Sequence, residues 1–442
     1  RYLACLRGGF VYHPLNTGYQ RQELEFFLAD AAPKLIVCDE PDESLMRELG
    51  RGTNPASVKE VEVLTLNQDG SGTLVAEAQL AESDHQPFAG GGDDVAALLY
   101  SSGTTGRPKG IPLTHENLLS NAETLVAYWG FTDADVLLHA LPVYHVHGLF
   151  VALGCVFLSG ASMRWHSGFA VDRVLDELPL CTVMMGVPTY YTRLLADSRF
   201  DRKTCANLRL LISGSAPLLS ETFEAVAERT GHRILERYGM SEAGMISSNP
   251  LEGERLAGTV GFPLPGVELR VVDEQGEPCA VGCTGNVEVR GSNVFSGYWN
   301  RPEKTAEDFR PDGFFATGDL GRLDEEGRLT IAGRSKDLII SGGLNVYPRE
   351  IELELDLLPG VNESAVIGVP HSDFGEAVLA LVVMLPSHSM DEAAMLTELK
   401  TRLAGFKVPK RVLPIEELPR NAMGKVQKSK LRERYAEMPS GG

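Results

Sequence analysis

Ser101-Ser102-Gly103-Thr104-Thr105-Gly106-Arg107-Pro108-Lys109-Gly110, preceded by Tyr100, is the segment best equipped for chemistry. Its glycines let the backbone approach a ligand closely, and successive amides can then point at phosphate oxygens. The hydroxyls of Ser101, Ser102, Thr104 and Thr105 add donors, and Lys109 adds a positive charge. The pattern differs from the nucleotide loop G-x-x-x-x-G-K-S/T, because Pro108 precedes the lysine and Gly110 follows it where a Mg²⁺-binding hydroxyl is required. A plain surface linker is the bland alternative, and so dense a run of glycine and hydroxyl residues argues against it. The segment reads as a phosphate cradle.

Three other patterns invite chemistry and carry less. Gly239-Met240-Ser241-Glu242-Ala243 falls one residue short of the hydrolase elbow G-x-S-x-G, with Ala243 where the last glycine belongs. His145-Val146-His147 has the spacing that puts two side chains on one face of a strand, but no third ligand accompanies it. The pair reads as a polar pocket wall facing a substrate. Cys279 and Cys283 lack a second pair, so zinc is not expected. The other cysteines lie mostly in apolar runs, as reduced, buried thiols do.

These residues need a scaffold, and the sequence supplies an alternating one. Strand-like runs at 95–100, 136–141, 182–187, 208–213 and 233–238 are interleaved with helical runs at 116–129, 171–178, 189–195 and 219–230. Thr114 is a candidate N-cap for the first helix. Such alternation predicts α/β layers with a largely parallel sheet. From 267 the texture changes to strands at 267–273, 286–290 and 328–332 joined by Gly/Asp/Glu turns, as in a small antiparallel β-barrel. A further α+β unit follows, with a helix near 347–357, a strand at 364–369 and a helix near 391–403. We therefore expect a large domain over 1–335 and a small mobile one over 336–442. A length of 442 residues requires more than one core.

A net charge of −19 argues against nucleic acid and anionic membranes as partners. The longest apolar run, 148–158, is far short of a bilayer span. The chain opens at Arg1 in what reads as a domain interior, so further residues are expected upstream. The expected compartment is the cytoplasm, or an organelle matrix if a targeting segment precedes Arg1. No obligate protein partner is expected.

Taken in order, the motifs resemble those of the adenylate-forming enzymes: acyl-CoA synthetases, firefly-type luciferases and peptide-synthetase adenylation domains. The loop at 101–110 resembles their phosphate loop. Gly214-Ser215-Ala216-Pro217 resembles the adenine-binding turn, and Tyr238-Gly239-Met240-Ser241-Glu242 the motif whose Tyr flanks adenine and whose Glu binds Mg²⁺. Thr317-Gly318-Asp319 resembles the ribose motif, and Arg334 in Gly333-Arg334 matches a second ribose contact. Pro419-Arg420-Asn421-Ala422-Met423-Gly424-Lys425 resembles the C-terminal motif with the catalytic lysine. The resemblance implies an ATP-dependent enzyme that makes an acyl-adenylate and passes the acyl group to coenzyme A. Glu242 and Thr105 would then hold Mg²⁺, Lys336 would be the hinge, and Gly342 and Gly343 would approach the thiol channel. Without the motif, Lys425 would read as a solvated lysine in a basic tail.

Leu141 to Gly148, Met185 to Tyr191, Arg209 to Pro217 and Asn293 to Tyr298 are similar, more narrowly, to malonyl-CoA synthetases. This implies a dicarboxylate substrate, malonate or methylmalonate, with Ser213, His145 and His147 at the acid. The distal carboxylate needs a cation, and a guanidinium grips a carboxylate bidentately. Arg255 is the expected anchor; a surface arginine paired with Glu252 or Glu254 is the bland reading. Two alternatives stand beside malonate: a CoA ligase for another short or medium-chain acid, and an adenylation protein that loads a carrier protein.

Overall fold

Apolar runs rich in leucine, valine and methionine become strands whose two faces are both covered, as parallel strands between helical layers must be. In the computed structural model, which describes residues 1–52, 61–81, 86–101, 108–341, 344–371, 375–386, 388–421 and 424–436, the chain forms two compact units. One unit comprises Arg1–Ser102, Pro108–Glu116 and Phe295–Thr305, and the other Gly103–Arg107, Asn117–Val294 and Ala306–Gly442.

Among the described residues, the second unit contains a seven-stranded sheet. Its strands are β1 (Val136–His139), β2 (Ser162–Trp165), β3 (Val183–Gly186), β4 (Leu210–Ser213), β5 (Leu235–Met240), β6 (Gly244–Ser248) and β7 (Phe262–Pro263). The order across the sheet is β7-β6-β5-β4-β3-β1-β2; β1 to β5 pair in parallel, and β6 and β7 are antiparallel additions. The two-residue period sorts the side chains onto two faces. Leu137, Val183, Met185, Leu210 and Ile212 pack with Leu125, Trp129 and Cys155 on one face. Leu138, Met184 and Leu211 pack with Val174, Tyr191, Leu194 and Phe223 on the other. Each fully buried leucine contributes roughly 1.5–3 kcal/mol of transfer free energy. The sheet is thus the rigid layer from which the loops project.

Beyond it, β8 (Glu268–Val272), β9 (Gly285–Arg290), β10 (Phe315–Leu323) and β11 (Leu329–Arg334) form an antiparallel four-stranded sheet. The 3-10 turn Ser335–Asp337 then leads to β12 (Ile339–Ser341), β13 (Leu344–Val346), β14 (Val361–His371), β15 (Gly375–Met384) and β16 (Arg411–Pro414). Helices Pro348–Asp356 and Glu392–Arg402 supply Ile351, Leu355, Met395 and Leu399 to one core of this sheet. Helix Lys428–Tyr435 supplies Leu431 to the other. The fold is therefore mixed α/β, with a large N-terminal and a small C-terminal domain.

In the first unit, strands Val95–Ser101 and Lys109–Thr114 pair antiparallel, with Ser101 opposite Lys109. Residues 109 and 110, read as loop, are therefore strand. Thr114 ends that strand, and helix His115–Tyr128 begins at the next residue. Among the described residues no helix is long and apolar enough to cross a membrane.

Candidate active site

The carboxyl ends of the parallel strands converge on one set of polar residues, the usual place for a ligand crevice in an open α/β sheet. The loop after β1 carries His145 and His147, and β4 ends in Ser213 before the turn at 214–217. Within β5, Glu236, Arg237 and Tyr238 interrupt an otherwise apolar strand.

Local geometry explains the small residues. A Cβ at Gly214 would lie 2.3 Å from Arg237 Nη1 and 2.4 Å from its Cζ, so only glycine lets the guanidinium lie against this turn. A Cβ at Gly239 would lie 2.2 Å from the Gly244 carbonyl oxygen, which the tight β5–β6 connection brings close. Ser215 has φ of 72°, in the left-handed region that non-glycine residues rarely adopt. Its Oγ is 3.3 Å from His147 Nδ1. His147 itself opens a π-helical turn, His147–Ala152, of the kind that often re-aims a side chain at a site.

On the side of the sheet formed by β10 and β11, Asp319 is 3% exposed and has a partner on each carboxylate oxygen. It accepts from Tyr238 Oη at 2.5 Å and from Arg334 Nε at 2.8 Å. Its own N–H donates to Thr317 Oγ1 at 3.1 Å. The Asp319 carboxylate raises the Arg334 guanidinium, and burial followed by Asp319 pushes the Tyr238 phenol well above its ordinary value. A carboxylate has about four acceptor positions, so two remain for another ligand. Glu242, buried between β5 and β6, adds negative charge felt by both Arg334 and Lys425.

The opposite flank is different. Arg237 is 3% exposed, and its Nε and Nη2 are buried with no hydrogen-bond partner among the described residues. Burial lowers its guanidinium to about 9, with Tyr191 and Glu236 opposing, so it remains charged at neutral pH. The adjacent Glu236 does not neutralise it. Burial raises that carboxyl to about 8, and its Oε1 accepts from Leu218 N at 3.3 Å. Among the described residues, His147 Nε2 and Ser213 Oγ are likewise buried and unpartnered. Burial, then the charge of Arg237, hold His147 well below its ordinary value, so it is a neutral imidazole. His145 is held down to about 4 by burial and by Lys425.

Lys425 is within electrostatic reach of both flanks. Its side chain keeps a solvent-accessible face, yet the surrounding protein strips water from the amine and lowers it to about 8. Arg334 and Arg237 lower it further, and Asp319 and Glu242 oppose them. Lys425 N donates to Asn421 Oδ1 at 3.0 Å, and Arg420 Nη1 donates to the Gly424 carbonyl at 2.6 Å. Lys336, in the turn Ser335–Asp337, is lowered to about 8 by burial and then by Arg334.

Several expected residues lie elsewhere. Arg255 donates to three backbone carbonyls: from Nε to Pro250 at 3.0 Å, from Nη1 to Arg233 at 2.6 Å and from Nη2 to Leu251 at 2.6 Å. Each of its nitrogens is engaged, so it ties the 250–255 loop to Arg233, just ahead of β5, and is not aimed at a ligand. Ser101 and Lys109 belong to the first unit, and Ser101 Oγ is buried with no partner among the described residues. Ser102, Gly103, Thr104, Thr105, Gly106, Gly342 and Gly343 lie outside the described residues. Ala216, Pro217, Met240 and Ser241 lie on the turns that follow β4 and β5 or, for Met240, at the end of β5. Sequence reasoning passed over Arg237. Its signal was available, since a Glu-Arg pair inside a central strand calls for a reason. Among the described residues no group of three His, Cys, Asp or Glu side chains is arranged to hold a metal ion.

Comparison with known proteins identifies the relatives of this chain. Residues 1–299 match the AMP-binding enzyme family, and residues 350–425 match the C-terminal domain of AMP-binding enzymes. A malonate–CoA ligase of Arabidopsis thaliana is 36% identical over 96% of this chain and 74% of its own. A mitochondrial malonate–CoA ligase of Mus musculus is 37% identical over 99% of this chain and 79% of its own. The crystal structure of ATP-bound MatB from Rhodopseudomonas palustris superposes with a TM-score of 0.96 at 51% identity, over 99% of this chain and 86% of that one.

Proposed function

The chain belongs to the AMP-binding enzyme family, and from that premise we propose that it converts malonate to malonyl-adenylate with ATP and then to malonyl-CoA, releasing pyrophosphate and AMP. The observation that carries the choice of acid is Arg237, a buried cation with two guanidinium nitrogens that, like His147 Nε2, have no partner among the described residues. A guanidinium so placed is completed by a small carboxylate, and a monocarboxylic acid, whose only carboxylate is consumed in the reaction, would leave it uncompensated. Arg237 therefore replaces Arg255 as the anchor. On this reading neutral His145 and His147, with Ser213, face the acid as polar neighbours of Arg237.

In the first half-reaction a carboxylate oxygen of malonate attacks the α-phosphorus of ATP. A P–O bond to pyrophosphate breaks as the acyl–phosphate bond forms. Negative charge builds on the phosphoryl oxygens, and the Lys425 ammonium, within electrostatic reach of Arg237 and Asp319, is suited to offset it. Asp319 takes the ribose hydroxyls with its remaining lone pairs, Tyr238 and the turn at 214–217 border the adenine, and Lys109 takes phosphate oxygens. Glu242 fits Mg²⁺, which binds through one or two carboxylates plus substrate phosphates; the ion supplies charge neutralisation on the triphosphate. In the second half-reaction the thiol sulfur of CoA attacks the acyl carbonyl, loses its proton, and AMP leaves. Lys336 is the hinge that removes Lys425 between the two steps. Lys336→Pro should spare ATP–pyrophosphate exchange and block thioester release, because proline resists the backbone change; normal thioester release would move the hinge elsewhere.

ATP–pyrophosphate exchange across acetate, malonate, methylmalonate, succinate, butyrate and octanoate tests the reading. Malonate should lead, with methylmalonate next, since one extra methyl costs only about 1–3 kcal/mol in a pocket. A preference for butyrate or octanoate would overturn the diacid assignment and leave adenylate formation intact.

A further inference from the structure

Within the first unit, the segment Phe295–Thr305 lies on the hairpin of Val95–Ser101 and Lys109–Thr114, the two strands that flank the phosphate segment. Trp299 N donates to the Gly110 carbonyl at 2.9 Å, and Trp299 Nε1 donates to the Asp30 carbonyl at 3.0 Å. Gly110 has no room for a side chain, because a Cβ there would lie 2.8 Å from Trp299 Cβ. This close approach fixes the residue before it. Tyr298 is 7% exposed, its N–H donates to Thr305 Oγ1 at 2.9 Å, and Phe295 meets its ring edge-on with centroids 4.9 Å apart. Lys109 Nζ stands over that ring, 4.0 Å from its centroid.

We propose that Tyr298 is the positioning residue for Lys109, holding the ammonium on its π face. The inference rests on the reading of Lys109 as a ligand of the ATP phosphates. An aromatic face attracts a cation through its quadrupole and carries no formal negative charge, so it orients the lysine without repelling the incoming phosphate. A carboxylate in the same place would compete with the phosphate for the cation and raise its own repulsion against the triphosphate.

Losing a partly desolvated contact of this kind should raise KM for ATP by about three- to thirtyfold, with KM for the acid changed far less. The experiment measures KM for ATP in pyrophosphate exchange for Tyr298→Leu, Tyr298→Phe and Lys109→Met, and for Tyr298→Leu combined with Lys109→Met. Tyr298→Leu should show the rise, Tyr298→Phe should recover most of it, and the double variant should be no worse than Lys109→Met alone. Phenylalanine carrying one, two or three ring fluorines at position 298 keeps the packing and weakens the quadrupole stepwise, so KM for ATP should climb with fluorination. A flat fluorine series, or Tyr298→Leu and Lys109→Met effects that multiply in the double variant, overturns the proposal. If Lys109→Met itself leaves KM for ATP unchanged, the phosphate role of Lys109 is wrong, a result distinct from the other two.

Discussion

The two flanks of the candidate site are built on opposite plans. Around Asp319 the polar groups satisfy one another: Tyr238, Arg334 and Thr317 all point at that residue. Around Arg237 they do not, and two guanidinium nitrogens, His147 Nε2 and Ser213 Oγ are buried without partners among the described residues. A pre-paired cluster is rigid and offers only its leftover lone pairs, which suits a constant ligand such as a nucleotide ribose. Unpartnered buried donors cost free energy until an acceptor arrives, which makes that flank a selector. On the function proposed above, the contrast gives nucleotide binding to one flank and acid selection to the other.

The sharpest way to break the contrast is Arg237→Met. Removing a buried charge whose partner is a substrate carboxylate typically costs about 3–5 kcal/mol, or about two to four decades in kcat/KM for malonate. KM for ATP should move little and the acetate rate should not fall with malonate. Equal losses for both acids would show that Arg237 supports the whole site and selects nothing.

Lys425→Ala probes the residue within electrostatic reach of both flanks. Adenylate formation should fall by about two to three decades, as for loss of a transition-state charge contact. Thioester formation from supplied malonyl-adenylate should fall far less, and equal losses would refute a change of position between steps. The amine is lowered to about 8, so its charged form is present at lower pH and is lost as pH rises through that value. Adenylation should therefore decline on the alkaline side near pH 8, and Lys425→Arg should shift that limb upward. An unshifted limb in the Arg variant would assign the titration to another group.

On the pre-paired flank, Asp319→Asn keeps the shape and removes the charge. Charge-assisted hydrogen bonds are worth about 1.5–3 kcal/mol, so KM for ATP should rise by about ten- to a hundredfold while the ranking of acids is preserved. A change in acid ranking would mean that the flanks are not separable. The smallest functional effect belongs to Arg255→Ala. Its three carbonyl partners predict a loss of about 1–3 kcal/mol in unfolding free energy, read as a lower denaturation midpoint, with the malonate-to-acetate ratio unchanged. A collapse of that ratio would restore Arg255 as the anchor.

Much of this protein was readable from local pattern. Runs such as 182–187 and 208–213 are apolar on both faces, and only a strand buried between two layers accommodates that, so β3 and β4 followed from periodicity. The glycine-rich and charged motifs could be recognised singly, because each is a short stretch whose backbone requirement is written in its own residues. Tertiary structure alone decided which cation is unpaired. Arg237 and Arg255 are the same residue type in similar polar company along the chain. One is stapled by the carbonyls of Arg233, Pro250 and Leu251, and the other is laid against Gly214 with donors unused among the described residues. Hydrogen-bond satisfaction depends on groups brought together from distant parts of the chain. The same holds for Lys109, whose aromatic neighbour Tyr298 arrives from a segment far downstream in the sequence and meets it only once the chain has folded.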